Sequence, residues 1–228
     1  MIENKNHIRT IKSYVVRGGR LTLSQQEAIK NLWPSFGLDR QLGIFKFEEI
    51  FTNKQPVVFE IGFGMGDSLV QMAKDSPEFN FIGVDVHPPG IGTLLKLIED
   101  QNLTNIRVVQ DDAKVILQEC IPDNSLDKVQ IFFPDPWHKK RHYKRRLIQT
   151  EFIQGLLPKL KEQGEIHLAT DWENYAEQMM EVLSGIGELK NQFGAGVFAT
   201  QNERPTTKFQ RRGVKLGHGV WDLVFNKR

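Results

Sequence analysis

The chain alternates short apolar strands with helices of about ten to fifteen residues along most of its length. Residues 56–61 form a β-branched and aromatic run that ends in glycines, which is typical of a buried strand. A helix over 67–76 follows and closes at Pro77. The later units are strands at 80–86, 106–110, 126–133 and 164–170 and helices at 88–102, 113–120, 147–160 and 172–184. This order predicts an α/β fold with a mostly parallel sheet and helices on both faces.

Both ends of the chain depart from this alternation. A last strand is predicted at 220–225, antiparallel to a partner that begins near Leu189. Before residue 55 only a basic arm and a helix over 24–33 are indicated. We therefore expect one domain over 55–228, with residues 1–54 as a basic arm and a helix packed on it.

A glycine-rich turn follows the first predicted strand, with Gly62, Gly64 and Gly66 spaced G-x-G-x-G. Glycine at such a turn lets the backbone approach a ligand closely. The spacing is not the G-x-G-x-x-G of dinucleotide sites, and no Lys-Ser/Thr pair of a phosphate-binding loop follows. The turn therefore favours a ligand without phosphate.

Carboxylates end three consecutive predicted strands: Glu60 in the first, Asp85 in the second, and the pair Asp111 and Asp112 in the third. Asp85 could accept hydrogen bonds from ribose hydroxyls, and the pair could accept one from an adenine amino group. S-adenosylmethionine, a cationic adenosine ligand, suits this acidic crevice, whereas the two phosphates of NAD would be repelled. A second interpretation is that Asp112 only caps the helix beginning at Ala113.

The fourth predicted strand ends in the sequence Phe-Phe-Pro-Asp-Pro-Trp, residues 132–137. Ligands of doubly wound sheets lie outside the carboxyl ends of the strands. Asp135 is therefore expected at the place where a methyl donor and the group that accepts the methyl would meet. The flanking prolines restrict the backbone, and Trp137 offers a flat face for a base.

The net charge of +2 hides a strong segregation of charge. Residues 21–137 hold nine Lys/Arg against seventeen acids, whereas residues 138–146 hold six Lys/Arg and no acid. Residues 1–20 and 201–228 are also basic. Three basic segments predict one face that binds a polyanion, if folding brings them together. The expected contacts with an RNA backbone are Lys140, Arg141, Lys144, Arg145 and Arg146.

Several classes of protein and site are excluded by composition. The longest stretch without Asp, Glu, Lys or Arg is 191–202, twelve residues, too short to span a bilayer. The basic N-terminus lacks the apolar core of a secretory signal, so we expect a cytoplasmic protein without membrane contact. Cys120 is the single cysteine, expected to be a small buried apolar residue, and no metal site is predicted because cations surround His138 and His142.

Several segments together resemble the bacterial tRNA (guanine-N7-)-methyltransferase family, over about residues 10–226. The most specific is the Pro-Asp-Pro-Trp sequence with the basic run after it. The matching segments are 59–66, 133–146, 169–172, 204–210 and 217–222. The resemblance implies a Rossmann-like class I methyltransferase that uses S-adenosylmethionine to methylate N7 of a guanine in the variable loop of tRNA.

The resemblance also implies roles for particular residues. The donor would be held by Glu60, Asp85, Asp112 and Asp135, beside Gly62 and Gly64, with Asp135 as the catalytic carboxylate. Lys139, Asp171, Thr207, Lys208, Phe209 and Gln210 would hold the substrate. Two positions depart from the family, which often has Glu at position 85 and usually has Glu at position 210. A role of position 210 that needs a carboxylate is therefore in doubt.

Other functions fit part of the sequence. A methyltransferase for another RNA fits both the crevice and the basic segments, whereas one acting on protein or a small molecule leaves the basic segments unexplained. A non-catalytic RNA-binding protein leaves the crevice unexplained. An NAD-dependent oxidoreductase is disfavoured by the glycine spacing. The sequence leaves open whether the protein is a monomer or a homodimer.

Overall fold

A computed structural model describes residues 12–14, 19–200, 204–205 and 219–228 of the chain. The described residues form a seven-stranded sheet. The strands are β1 (Val57–Ile61), β2 (Asn80–Asp85), β3 (Ile106–Gln110), β4 (Leu126–Phe132), β5 (Leu160–Thr170), β6 (Leu189–Asn191) and β7 (Trp221–Lys227).

The strand order is β3-β2-β1-β4-β5-β7-β6. The first five strands pair in parallel, whereas β7 pairs antiparallel with both β5 and β6. The first strand, β1, lies in the middle of the sheet. From β1 the chain runs outward through β2 to β3 and then crosses back to β4, on the other side of β1. Strand order therefore reverses between β1 and β4, and the carboxyl ends of these two strands border the crevice where such sheets bind ligands.

Helices cover both faces of the sheet, as the alternation of elements predicts. They are α1 (Leu23–Phe36), α2 (Phe47–Phe51), α3 (Asp67–Asp75), α4 (Pro88–Asp100), α5 (Ala113–Glu119), α6 (Thr150–Leu156) and α7 (Glu173–Ser184). One apolar core lies under α1, α3 and α4, and the other lies under α2, α5, α6 and α7. Val58 of β1 faces the first core and Phe59 the second, because successive side chains of a strand point to opposite faces.

The N-terminal helix α1 packs against α4. It begins with a capping box, in which the Thr22 and Gln25 side chains each accept a hydrogen bond from the other residue's backbone N–H. The Gln25 amide also donates to the Pro89 carbonyl at 3.2 Å and to the Thr93 hydroxyl at 3.0 Å, at the start of α4. The predicted helix over 24–33 is thus confirmed, with its end three residues further on.

Three predicted elements have wrong boundaries for local reasons. The helix predicted over 147–160 spans only Thr150–Leu156, because Pro158 lies in a 3₁₀ turn (Leu157–Lys159) that ends it. Strand β5 consequently begins at Leu160, before Gly164. Strand β4 stops at Phe132 because Phe133 has a φ of 54°, which a strand does not tolerate.

Cys120 is fully buried, as predicted. Over the described ranges no helix is long and apolar enough to cross a membrane. The same part of the chain contains no group of three His, Cys, Asp or Glu side chains able to hold a metal ion.

Candidate active site

A pocket of about 730 Å³ opens at the carboxyl ends of the parallel strands. Its volume is in the range of small-molecule sites, roughly 300 to 1,000 Å³. Its lining includes six of the predicted binding and catalytic residues, namely Gly62, Gly64, Asp85, Asp112, Asp135 and Lys139, and also Asp111. The fold therefore brings the glycine turn, three of the strand-end acids and the Pro-Asp-Pro segment to one cavity.

The glycine turn is fixed to the end of β2 by Asp85. One carboxylate oxygen of Asp85 accepts a hydrogen bond from the Gly64 N–H at 2.9 Å, and the other accepts one from the His87 N–H at 2.9 Å. Burial raises the pKa of Asp85, and these backbone hydrogen bonds oppose the rise. Each carboxylate oxygen has a second lone pair, so Asp85 can still accept hydrogen bonds from a ligand.

The glycine turn also requires a glycine elsewhere in the chain, at the start of α4. A Cβ on Gly90 would lie 2.1 Å from the carbonyl oxygen of Gly64. Because a carbon and an oxygen cannot approach so closely, a side chain at position 90 must displace the turn. No pattern in the sequence indicates that position 90 must be glycine, because Gly64, which it contacts, lies in another part of the chain.

Gly90→Ala is expected to weaken binding of S-adenosylhomocysteine by about tenfold or more. The added methyl group overpacks the glycine turn, and such overpacking costs about 1–3 kcal/mol. Titration calorimetry measures the loss. Gly155→Ala is the matched control, since a Cβ there meets nothing within 4 Å and Gly155 lies in α6. Equal donor affinity in the two variants would contradict this account of the turn.

Asp112 both caps a helix and lines the pocket. Its Oδ1 accepts a hydrogen bond from the Lys114 N–H at 3.0 Å, so it caps α5. It also lines the pocket, where Tyr14 of the N-terminal arm lies beside it. Burial first and the Asp112 carboxylate second raise the pKa of the Tyr14 hydroxyl. Tyr14 is a pocket residue that the sequence analysis missed, because nothing in the arm signals where it lies.

Glu60 differs from the other strand-end acids. It is buried, 3% exposed, and does not line the pocket. Among the residues that the structure describes, its Oε2 has no hydrogen-bond partner. Burial first and the nearby Asp85 second raise the pKa of Glu60 to about 8, against a smaller opposing effect of Arg204. Glu60 is therefore protonated at neutral pH in the ligand-free protein, and a cation bound nearby would favour its ionisation.

The turn after β4 is strained at both ends. Phe133 and Trp137 have φ angles of 54° and 46°, values that bulky residues rarely adopt. Such strain costs about 1–3 kcal/mol per residue and persists only where the surroundings enforce it. Between the two strained residues Asp135 is exposed and lines the pocket, in agreement with its predicted position.

The basic run after this turn folds back onto it. Residues Lys140–Arg145 form a 3₁₀ turn, and the Arg145 guanidinium stacks on the Trp137 ring at 3.8 Å. Arg145 also donates to the Lys12 carbonyl at 3.2 Å, and Trp137 Nε1 donates to the Ser13 carbonyl at 3.1 Å. Residues 12–14 of the first basic segment therefore lie beside the second, at the mouth of the pocket.

The predicted role of Arg146 as an RNA contact is wrong, because its side chain is buried. It is 1% exposed, and its guanidinium lies against the rings of Tyr143 and Tyr175 at 3.7 and 4.6 Å. It donates to the Pro136 carbonyl at 2.8 Å and to the side chains of Gln178 and Asn174 in α7. A group so enclosed cannot reach a phosphate, so Arg146 is a structural residue in this fold. Lys140, Arg141 and Lys144 are exposed, as an RNA contact requires.

The remaining predicted residues are less fully described. Lys139 is exposed at the pocket, and Asp171 is half-buried after the carboxyl end of β5. His142 also lines the pocket, and desolvation followed by its cationic neighbours lowers its pKa. Thr207, Lys208, Phe209 and Gln210 lie outside the described residues.

The sheet order and this pocket define a methyltransferase of the Rossmann-like class that uses S-adenosylmethionine. The 16S rRNA methyltransferase KamB, a solved structure, has this fold with a TM-score of 0.58 at 13% identity, covering 80% of this chain and 92% of that one. A family model described as "Putative methyltransferase" matches residues 54–223.

Curated relatives define the family more closely. The tRNA (guanine-N(7)-)-methyltransferase of Alcanivorax borkumensis is 53% identical over 97% of this chain and 93% of its own length. The protein of the same name from Idiomarina loihiensis is 53% identical over 96% of this chain and 90% of its own length. The chain belongs to the bacterial tRNA (guanine-N(7)-)-methyltransferase family.

Proposed function

We propose that this chain transfers the methyl group of S-adenosylmethionine to N7 of a guanine in the variable loop of tRNA. One observation supports the proposal above the others: the exposed Asp135 faces the acidic pocket, and the basic turn Lys140–Arg145 begins five residues after it. A donor site and a surface for polyanions thus meet at the end of one strand. The names of the relatives give tRNA as the substrate and guanine N7 as the methylated atom.

The residues of the pocket fit the donor. Asp85 has lone pairs free for ribose hydroxyls, and Asp111 and Asp112 line the region beside it. The buried Oε2 of Glu60, two residues before Gly62, accepts no hydrogen bond from any other described residue. These acids suit a ligand that carries an ammonium and a sulfonium. When bound, S-adenosylmethionine supplies an electrophilic methyl group.

The reaction requires mainly that guanine N7, the methyl carbon and the sulfur are aligned. Guanine N7 carries an in-plane lone pair and no proton, so it forms the new N–C bond as the C–S bond breaks, and no general base is needed. The guanine gains the positive charge that the sulfur loses. Asp135 would accept hydrogen bonds from guanine N1–H and the exocyclic amine, which distinguish guanine from adenine. Its carboxylate would also stabilise the developing charge.

The tRNA backbone would lie along the turn Lys140–Arg145 and residues 12–14. Arg145 stacks on Trp137 and donates to Lys12, so it joins the two segments. Lys139, Asp171 and residues 207–210 are proposed to hold the substrate nearer the reacting base. Labelled methyl transfer to total tRNA, followed by mapping of the modified nucleotide, tests the proposal. Methylation of another RNA alone, or of a base other than guanine, would overturn it.

Arg145→Ala and Lys140→Ala are each expected to weaken tRNA binding and to reduce the slope of log K against log salt by about 1. Loss of one phosphate contact is the reason. S-adenosylhomocysteine affinity should stay within about threefold of wild type, since neither side chain lines the pocket.

Lys54→Ala is the control for these two variants, because Lys54 is exposed and lies before β1, at the opposite edge of the sheet. Filter binding over a range of salt concentrations measures the slope. A loss of donor binding as large as the loss of tRNA binding would contradict the separation of the two surfaces.

A further inference from the structure

Arg204 forms a buried ion pair that the proposed chemistry does not use. Its side chain is 1% exposed and makes a two-pronged contact with Asp222 of β7, with N···O distances of 2.7 and 3.0 Å. Asp222 also accepts a hydrogen bond from His167 Nε2 of β5 at 2.9 Å. Burial alone would raise the pKa of Asp222, but the hydrogen bonds from His167 and Arg204 outweigh it and hold the pKa below its usual value. The carboxylate is therefore ionised at neutral pH.

The ion pair packs against the aromatic rings at the carboxyl end of β4. The Arg204 guanidinium lies 5.0 Å from the ring centre of Phe132 and 5.1 Å from that of Phe133. The His167 ring meets the Phe132 ring edge-on at 5.1 Å. Asp222 thus holds two groups that both contact Phe132, and one of them contacts Phe133 as well.

Phe133 is the first strained residue of the turn that carries Asp135. Its φ of 54° is unfavourable, and its N–H donates to the Ala169 carbonyl at 2.8 Å. A strained backbone is held only by the contacts around it. Arg204 supplies a planar cation against the Phe133 ring, and such a cation–π contact is strengthened by the loss of solvent.

We propose that Arg204, fixed by Asp222, is a positioning residue for methyl transfer that holds the turn after β4 in the conformation presenting Asp135. The inference deepens the proposed function and rests on it. Arg204 acts through Phe133 and not on the reacting atoms. A displacement of Asp135 by about 1 Å could lower the rate by about 100-fold, so a small change in the turn has a large effect on catalysis.

Arg204→Lys tests the proposal, because lysine keeps the charge and loses the planar fork. We expect kcat for labelled methyl transfer to fall by about tenfold or more, with the KM for S-adenosylmethionine within about threefold of wild type. Arg107→Lys is the control: Arg107 is only partly buried, but its guanidinium likewise lies against two phenylalanine rings, those of Phe36 and Phe51, near the amino end of β3. Both variants are compared at a temperature below the melting transition of each. An equal kcat in the two variants would overturn the proposal.

Hydrogen exchange gives a readout that does not depend on tRNA. Arg204→Lys is expected to speed exchange of the Phe133 amide, and Arg107→Lys is not. If the wild-type protein methylates no tRNA, the proposed function fails, while the exchange result still decides whether Arg204 holds the turn. Should Arg204→Lys fail to fold, Phe133→Leu removes the ring and leaves the Arg204–Asp222 pair intact. Wild-type kcat in Phe133→Leu would then overturn the proposal.

Discussion

Asp135→Ala is expected to lower kcat for methyl transfer to tRNA by about 100-fold or more and to leave tRNA affinity within about threefold of wild type. The reason is that Asp135 would orient the guanine and stabilise its growing charge, while the RNA backbone is held elsewhere. Asp135 is exposed at the pocket and precedes the residues proposed to contact phosphates, which lie in the turn Lys140–Arg145. Single-turnover transfer of a labelled methyl group gives the rate, and filter binding gives the affinity.

Asp135→Asn serves as the control for this variant. The amide keeps the shape and one acceptor oxygen but lacks the charge, so its rate should lie between those of wild type and Asp135→Ala. If Asp135 positions the guanine and abstracts no proton, the rate of methyl transfer should be nearly constant just below neutral pH. A steep loss of methyl transfer just below neutral pH would contradict this role, as would equal losses of rate and tRNA affinity in Asp135→Ala.

The general architecture is readable from the sequence because it depends on local patterns. The β-branched run before Gly62 predicts β1, and the acids at the strand ends fall at one edge because parallel strands align there. Proline and backbone strain set the exceptions. Pro158 shortens α6, and the positive φ of Phe133 ends β4 one residue early. Neither effect changes the order of the strands.

The parts of the site that sequence reasoning missed depend on contacts between distant segments. Tyr14 lies beside Asp112, Gly90 lies against Gly64, and Arg204 pairs with Asp222. No spacing rule connects these pairs, because each joins elements that meet only after folding. The buried position of Glu60 is likewise set by its neighbours: an acid at a strand end has the same sequence signature whether it faces a pocket or the sheet interior.

Arg145 and Arg146 are adjacent members of one basic run, yet folding places them in different environments. Composition assigns both to RNA binding. In the structure Arg145 stacks on Trp137 at the mouth of the pocket, whereas Arg146 points inward between two tyrosines. The 3₁₀ turn ends at Arg145, and the change of backbone direction after it separates their environments.

Arg146→Ala is therefore expected to destabilise the fold by about 3–5 kcal/mol, a loss at the upper end for single substitutions. The substitution leaves the Pro136 carbonyl and the side-chain oxygens of Gln178 and Asn174 without their donor, and it opens a cavity between Tyr143 and Tyr175. For a chain of this size the melting temperature should fall by roughly 10 °C. Chemical denaturation and differential scanning calorimetry measure the two quantities.

Arg145→Ala is the paired control, because it removes the neighbouring charge without opening the core. We expect it to change stability by less than about 1 kcal/mol while weakening tRNA binding. Arg146→Ala, measured where it is still folded, should bind S-adenosylhomocysteine and show its defect mainly in stability. If Arg146→Ala instead kept wild-type stability and lost tRNA affinity like Arg145→Ala, the buried position of Arg146 would be contradicted. Because the two substitutions remove the same formal charge one residue apart, a difference between them reflects the different contacts of the two side chains and not a different net charge.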